Sequence, residues 1–176
     1  MFKIIALIVV ALIAVVLILA AMKPDVFRVQ RAISIKATPE TIFSHLNDFH
    51  SFTKWSPYEK KDPNMKRTFS GSPTGVGAVY EFEGDGNVGA GKLAIIESTF
   101  PQKVAMTLEF FKPFKANNVV EFTLVQKGDV TEAVWSMYGP VPYTAKIMHV
   151  FFNMDSMVGK DFEVGLENLK RISEAE

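Results

Sequence analysis

The sequence predicts an α+β domain in which a curved, seven-stranded antiparallel sheet wraps around one long C-terminal helix. Two short helices follow the first strand, and a transmembrane helix precedes the whole. Three observations carry this prediction. Residues 4 to 22, IIALIVVALIAVVLILAAM, run for nineteen positions without a charged or polar side chain, Gly or Pro. Seven segments between residues 26 and 138 read as strands, several of them alternating apolar and polar side chains, with tight turns between most of them. Residues 155 to 174 then place Val158, Phe162, Leu166, Leu169 and Ile172 on one helical stripe.

The first element is long enough, at about 1.5 Å per residue, to cross nearly all of a hydrocarbon core. Lys3 ahead of it raises the competing reading of a cleaved signal peptide. That reading is disfavoured because the run exceeds a typical h-region and its exit, LAAMKPD, offers no clean A-x-A site. We therefore expect a single-pass anchor over residues 1–23, with membrane contact through residues 4–22, and a globular domain over 24–176. Lys3 lies on one side of the run, and Lys23, Arg28, Arg31 and Lys36 lie on the other. Charges inside a folded domain count for little in topology, so the side of the membrane stays open.

Composition narrows the function classes. Nineteen basic residues balance nineteen acidic ones, which gives no electrostatic case for a nucleic-acid partner. With no cysteine in the chain, disulfides, thiol catalysis and cysteine-built metal sites are excluded.

Pro24 ends the anchor, and VFRVQRAISIK (26–36) follows with Phe27, Val29, Ile33 and Ile35 alternating against polar neighbours. Thr38, Pro39 and Glu40 supply an N-cap with Pro at the first helical position, opening a helix through Ile42, Phe43 and Leu46. A second short helix or irregular segment covers Phe49 to Lys54. Six strands then follow: MKRTFS, AVYEFE, GKLAIIES, KVAMTLEFF, NNVVEFTLVQ and DVTEAVWSMY. Asp155 is the expected N-cap of the long helix.

The same residues resemble a known family. The stretches FRVQRAISIKATPETIFSHLNDF, KWSPYEKKDP, FSGSPTGVGAVYEFEG, VGAGKLAI, VTEAVWSMYG and MDSMVGKDFEVGLENLK are similar to the START-like, or SRPBCC, superfamily. The likeness is to its membrane-anchored polyketide cyclase/dehydrase-type members and covers residues 26 to 172. It implies the helix-grip fold, with a hydrophobic cavity between sheet and C-terminal helix.

Strand alternation nominates a lining. Tyr80, Phe82, Met106, Phe110, Phe122, Trp135 and Met137 fall on the apolar faces of their strands, and Phe162 falls on the helix stripe. The residues alone leave a solid core and a ligand cavity both open; the resemblance implies the cavity. Gly159 and Gly165, costly inside a helix, serve either close sheet contact or free space. Arg31 is a charge in an otherwise apolar row. It is expected to pair with Asp155, Asp161 or Glu163, and is also the polar candidate for orienting a ligand. In FHSFTKWSPYEKKDP (49–63), Trp55 and Tyr58 around Pro57 are expected to form a rigid aromatic rim at the cavity mouth.

Other motifs dissolve on inspection. GDGNVG (84–89) lies between two strands and so is a hairpin turn, not a dinucleotide loop. His45, Asp48 and His50 do not share one helical face, and no metal or other cofactor is expected. No nucleophile elbow is present, and no catalytic residue is assigned. The apolar connection GPVPYTAKIMHVFFNM (139–154) reads either as a lid or as a surface touching the bilayer.

The functional expectation is a membrane-tethered binding protein for a lipid or other hydrophobic small molecule. A polyketide cyclase/aromatase-like enzyme and a non-catalytic structural or interaction domain are the alternatives.

Overall fold

The computed structural model describes residues 2–176. The apolar N-terminal run forms helix α1 (Phe2–Ala21), long and apolar enough to cross a membrane. After four intervening residues β1 (Val26–Ile35) begins. Helices α2 (Pro39–Leu46), α3 (Phe49–Trp55) and the single turn α4 (Tyr58–Lys61) separate it from β2 (Lys66–Gly71). The meander continues as β3 (Ala78–Glu83), β4 (Ala90–Thr99), β5 (Lys103–Lys112), β6 (Ala116–Lys127) and β7 (Val130–Pro140). Helix α5 (Tyr143–Phe151) and the long α6 (Met154–Ser173) complete the chain.

The strands form one antiparallel sheet in the order β1-β7-β6-β5-β4-β3-β2. Consecutive strands from β2 to β7 pair as hairpins, while β1 returns to pair with β7, as when Arg31 faces Trp135. Residues 84–89 form the expected turn, closed by a bond from the Gly84 amide to the Gly89 carbonyl at 2.8 Å. On the outer face, cross-strand ion pairs such as Lys92–Glu109 and Lys103–Glu121 replace the apolar rows of the inner face.

Each helix end has a local cause. Thr38 caps α2 by accepting from the Thr41 amide, and Asp48 caps α3 by accepting from the His50 amide. The cap of α6 is Asn153, which accepts from the Ser156 amide at 3.2 Å, and not Asp155. Asp155 instead sits in the first turn, where its carboxylate is taken by Arg31.

Candidate functional site

The space between the concave face and α6 is occupied by aromatic rings. Trp135 stacks on Phe162 at 4.0 Å between centroids, almost parallel at 9°. Trp55 meets Phe122 and Trp135 edge-on at 5.8 and 5.6 Å, and Phe122 lies 5.1 Å from Trp135. Met106 is fully buried beside them, and Met137 is nearly so. Tyr80, Phe82 and Phe110 form a second row, with 6.1 Å from each ring to the next. The fold thus brings nine of the eleven residues nominated from sequence onto one continuous apolar face.

Trp55 is wholly buried at the centre of this packing, not on a rim. It ends α3, where Phe49, Phe52 and Trp55 recur every third residue and turn inward together. Its indole N–H donates to the His45 carbonyl at 3.1 Å, and its own carbonyl accepts from Asn168 on α6. Tyr58, on α4, is half-buried under the Lys61 ammonium, 5.3 Å from the ring centroid, and burial raises its phenol pKa. Lys61 in turn pairs with Asp161 of α6 at 2.6 Å, closing α4 against the long helix.

Arg31 stands at the sheet edge and ties β1 to α6. Its guanidinium donates to both Asp155 carboxylate oxygens at 2.9 and 3.0 Å and to Glu163 at 2.8 Å, which spends its donors on structure. Gly159 is what lets it lie there, because a Cβ at that position would overlap the guanidinium. Gly165 likewise admits Trp135. Both glycines therefore serve close approach, the first of the two roles their positions allowed.

One polar cluster escaped the sequence reading. Glu59 on α4 accepts from Arg67 of β2 through one carboxylate oxygen and from the Tyr80 hydroxyl, at 2.6 Å, through the other. The Tyr80 phenol is held well above its ordinary pKa, chiefly by burial and then by this bond to Glu59. The signal that could have found it is the position of Arg67 and Tyr80 on facing strands, with Glu59 just upstream.

Four buried side-chain atoms have no hydrogen-bond partner among the described residues: His45 Nε2, Ser56 Oγ, Ser173 Oγ and Trp135 Nε1. Asn118, 8% exposed, lies over Gly139 at the end of the sheet where Phe82, Leu108 and Phe110 are only half-buried. That is the end from which α1 departs. Two surface concavities lie elsewhere: about 170 Å³ beside His50 and Phe69, and about 280 Å³ along Glu167, Lys170 and Arg171. Among the described residues, no group of three His, Cys, Asp or Glu side chains is placed to hold a metal ion.

The fold recurs in solved structures of low sequence identity. The Aha1 dimer from Colwellia psychrerythraea is similar, with a TM-score of 0.60 at 17% identity, covering 84% of this chain and 96% of that one. Ginseng major latex-like protein 151 from Panax ginseng gives 0.61 at 12% identity, covering 85% and 99%. The di-domain ARO/CYC StfQ from the steffimycin biosynthetic pathway gives 0.61 at 7% identity, covering 85% of this chain and 52% of that one. No curated protein sequence matches the chain. Residues 26–174 match the family model of polyketide cyclase / dehydrase and lipid transport. The chain belongs to that family, within the START-like superfamily that its sequence resembles.

Proposed function

We propose that the chain is a membrane-tethered binding protein that takes a lipid or other hydrophobic small molecule between the sheet and α6. The observation that carries this reading is the Trp135 indole N–H, buried in an otherwise apolar interior with no acceptor among the described residues. An unpaired buried donor costs about 1–3 kcal/mol, and this one belongs to the ring that stacks on Phe162 of α6. A ligand oxygen reaching the edge of the Trp135 indole, in the plane of the ring, would accept from it, while the surrounding rings would bury the ligand's apolar body at about 25 cal/mol per Å². Entry is supported at the sheet end beside α1, where Phe82, Leu108 and Phe110 remain half-open. Because rings fill the interior, binding requires the Trp135–Phe162 stack to part. Tethering by α1 would hold the site where such ligands dissolve.

The test is native mass spectrometry and solvent extraction of the full chain purified in detergent. A repeatedly recovered apolar molecule supports the reading. No recovered ligand, together with no binding of apolar fluorescent probes, overturns it and leaves a packed interaction domain, which the filled interior favours. The Glu59–Tyr80–Arg67 cluster favours the enzyme alternative, a polyketide cyclase-like activity, since it converges partly buried titratable groups on the buried Tyr80. Both Glu59 oxygens are already engaged, however, so the cluster serves first to fasten α4 to the sheet.

A further inference from the structure

Helix α5 is built inside out. In a surface helix of a soluble domain, the apolar stripe faces the core and the charges face water. Here the charged residue is the covered one: Lys146 is 7% exposed and its ammonium reaches Asp25 of the linker after α1, whose own side chain stays exposed. The outward arc carries Thr144, Met148 and Phe151, and Phe152 follows at the helix end. Met148, Phe151 and Phe152 are 51%, 65% and 51% exposed, with no charge among them.

The helix is also fastened to α1. The Tyr143 hydroxyl donates to the Leu17 carbonyl at 2.9 Å, one turn below the end of α1, and Ala20 is fully buried. The Val141 amide donates to the Asp25 carbonyl at 2.7 Å and fixes the start of the segment against the linker. If α1 crosses a bilayer, these bonds put α5 at the depth where tyrosine rings concentrate, the boundary of headgroups and acyl chains. The β5–β6 turn at the same end of the sheet adds Phe114, 78% exposed and next to Lys115.

We propose that α5 is an interfacial membrane helix, with Met148, Phe151 and Phe152 immersed at the acyl-chain boundary of the bilayer that α1 crosses. The proposal rests on the tethered reading above, and it adds an orientation. The half-open end of the sheet faces the lipid, so a hydrophobic ligand would pass between bilayer and interior without crossing water.

The chain contains no cysteine, so single labels are unambiguous. The full chain carrying Met148→Cys, Phe151→Cys or Phe152→Cys is spin-labelled in nanodiscs of phosphatidylcholine and phosphatidylglycerol. Collision with oxygen is compared with collision with a water-soluble nickel chelate. Asp129→Cys in the β6–β7 turn, at the far end of the sheet, is the aqueous reference, and Ile8→Cys reports on α1. The expected result is a severalfold higher oxygen-to-nickel ratio at 148, 151 and 152 than at 129. Nickel access equal to that at 129, with Ile8 in lipid, overturns the proposal alone. Shielding from both reagents would show a protein partner on this face and overturns it as well. A label at Ile8 outside lipid overturns the tethering and the proposal together.

Discussion

Substitution of the two glycines of α6 by alanine separates a pressed helix from a roomy one. Alanine inside a helix is about 1 kcal/mol better than glycine, so with open space above it either change should stabilise. At Gly165 a Cβ would lie 2.5 Å from Trp135 Cζ3 and 3.0 Å from Pro57 Cδ, against a comfortable carbon contact of about 3.5–4.0 Å. Trp135 cannot retreat, because it is stacked on Phe162 and backed by Trp55 and Phe122. Overpacking of this kind costs about 1–3 kcal/mol. With a rigid neighbour the upper part of that range applies, and Gly165→Ala should be destabilising by about 1–2 kcal/mol net. At Gly159 the nearest atoms to the Cβ belong to the guanidinium of Arg31, the far end of a flexible side chain that can swing toward water. Its exposed ion pairs contribute about 0–1 kcal/mol, so Gly159→Ala should fall within about 0.5 kcal/mol of the parent. Urea unfolding of the full chain in detergent, followed by tryptophan emission, measures both, since Trp55 and Trp135 are each buried. A Gly165→Ala variant as stable as the parent or more so would refute the packing argument and restore open space under α6.

Four further outcomes are expected. Trp135→Phe should change stability by less than about 1 kcal/mol, because losing the unpaired N–H offsets the lost ring volume, yet it should reduce the ligand recovered in mass spectrometry severalfold. Trp55→Ala should cost about 3–5 kcal/mol in the same unfolding assay; reduced ligand uptake at unchanged stability would make Trp55 a wall of the site instead. Glu59→Gln should lower stability by about 1–3 kcal/mol by weakening the bonds to Arg67 and Tyr80, and an unaffected midpoint would show that the cluster does not hold α4. Burial holds the His45 imidazole below its ordinary value near 6.5. The unfolded chain therefore takes up a proton first, and His45's contribution, complete above about pH 6.5, is lost as pH falls through the folded value. Stability measured from pH 7 to 5 should decline, and His45→Gln should flatten that decline.

The sheet and α6 were legible in the sequence because a two-residue and a 3.6-residue period survive any detail of packing. Boundaries were less legible where two residues could do one job. Asn153 and Asp155 are both good caps, and Asn153 takes the role because Arg31, distant in sequence, claims the Asp155 carboxylate. Trp55 was misplaced for a related reason. Pro57 and the charges that follow made its segment resemble a rim, whereas the spacing of Phe49, Phe52 and Trp55 belongs to a helix that turns all three inward. The Glu59–Arg67–Tyr80 cluster was only half legible: Arg67 and Tyr80 fall on neighbouring strands, but Glu59 sits in a lysine-rich run that reads as a solvated face.

The connection from Gly139 to Met154 shows a different limit. Its apolar content is plain in the sequence, but periodicity reports only that a helix has two faces, not which one meets the protein. In a soluble helix of sequence YTAKIMHVF, Lys146 would face water and Phe151 the core. Asp25 reverses that assignment by lying just after α1 ends, giving Lys146 an exposed partner at the junction of α1 and α5. With the one charge drawn inward, Met148 and Phe151 have only the outside left. What decides the facing of α5 is therefore its pairing with the linker after α1, and that pairing spans 121 residues.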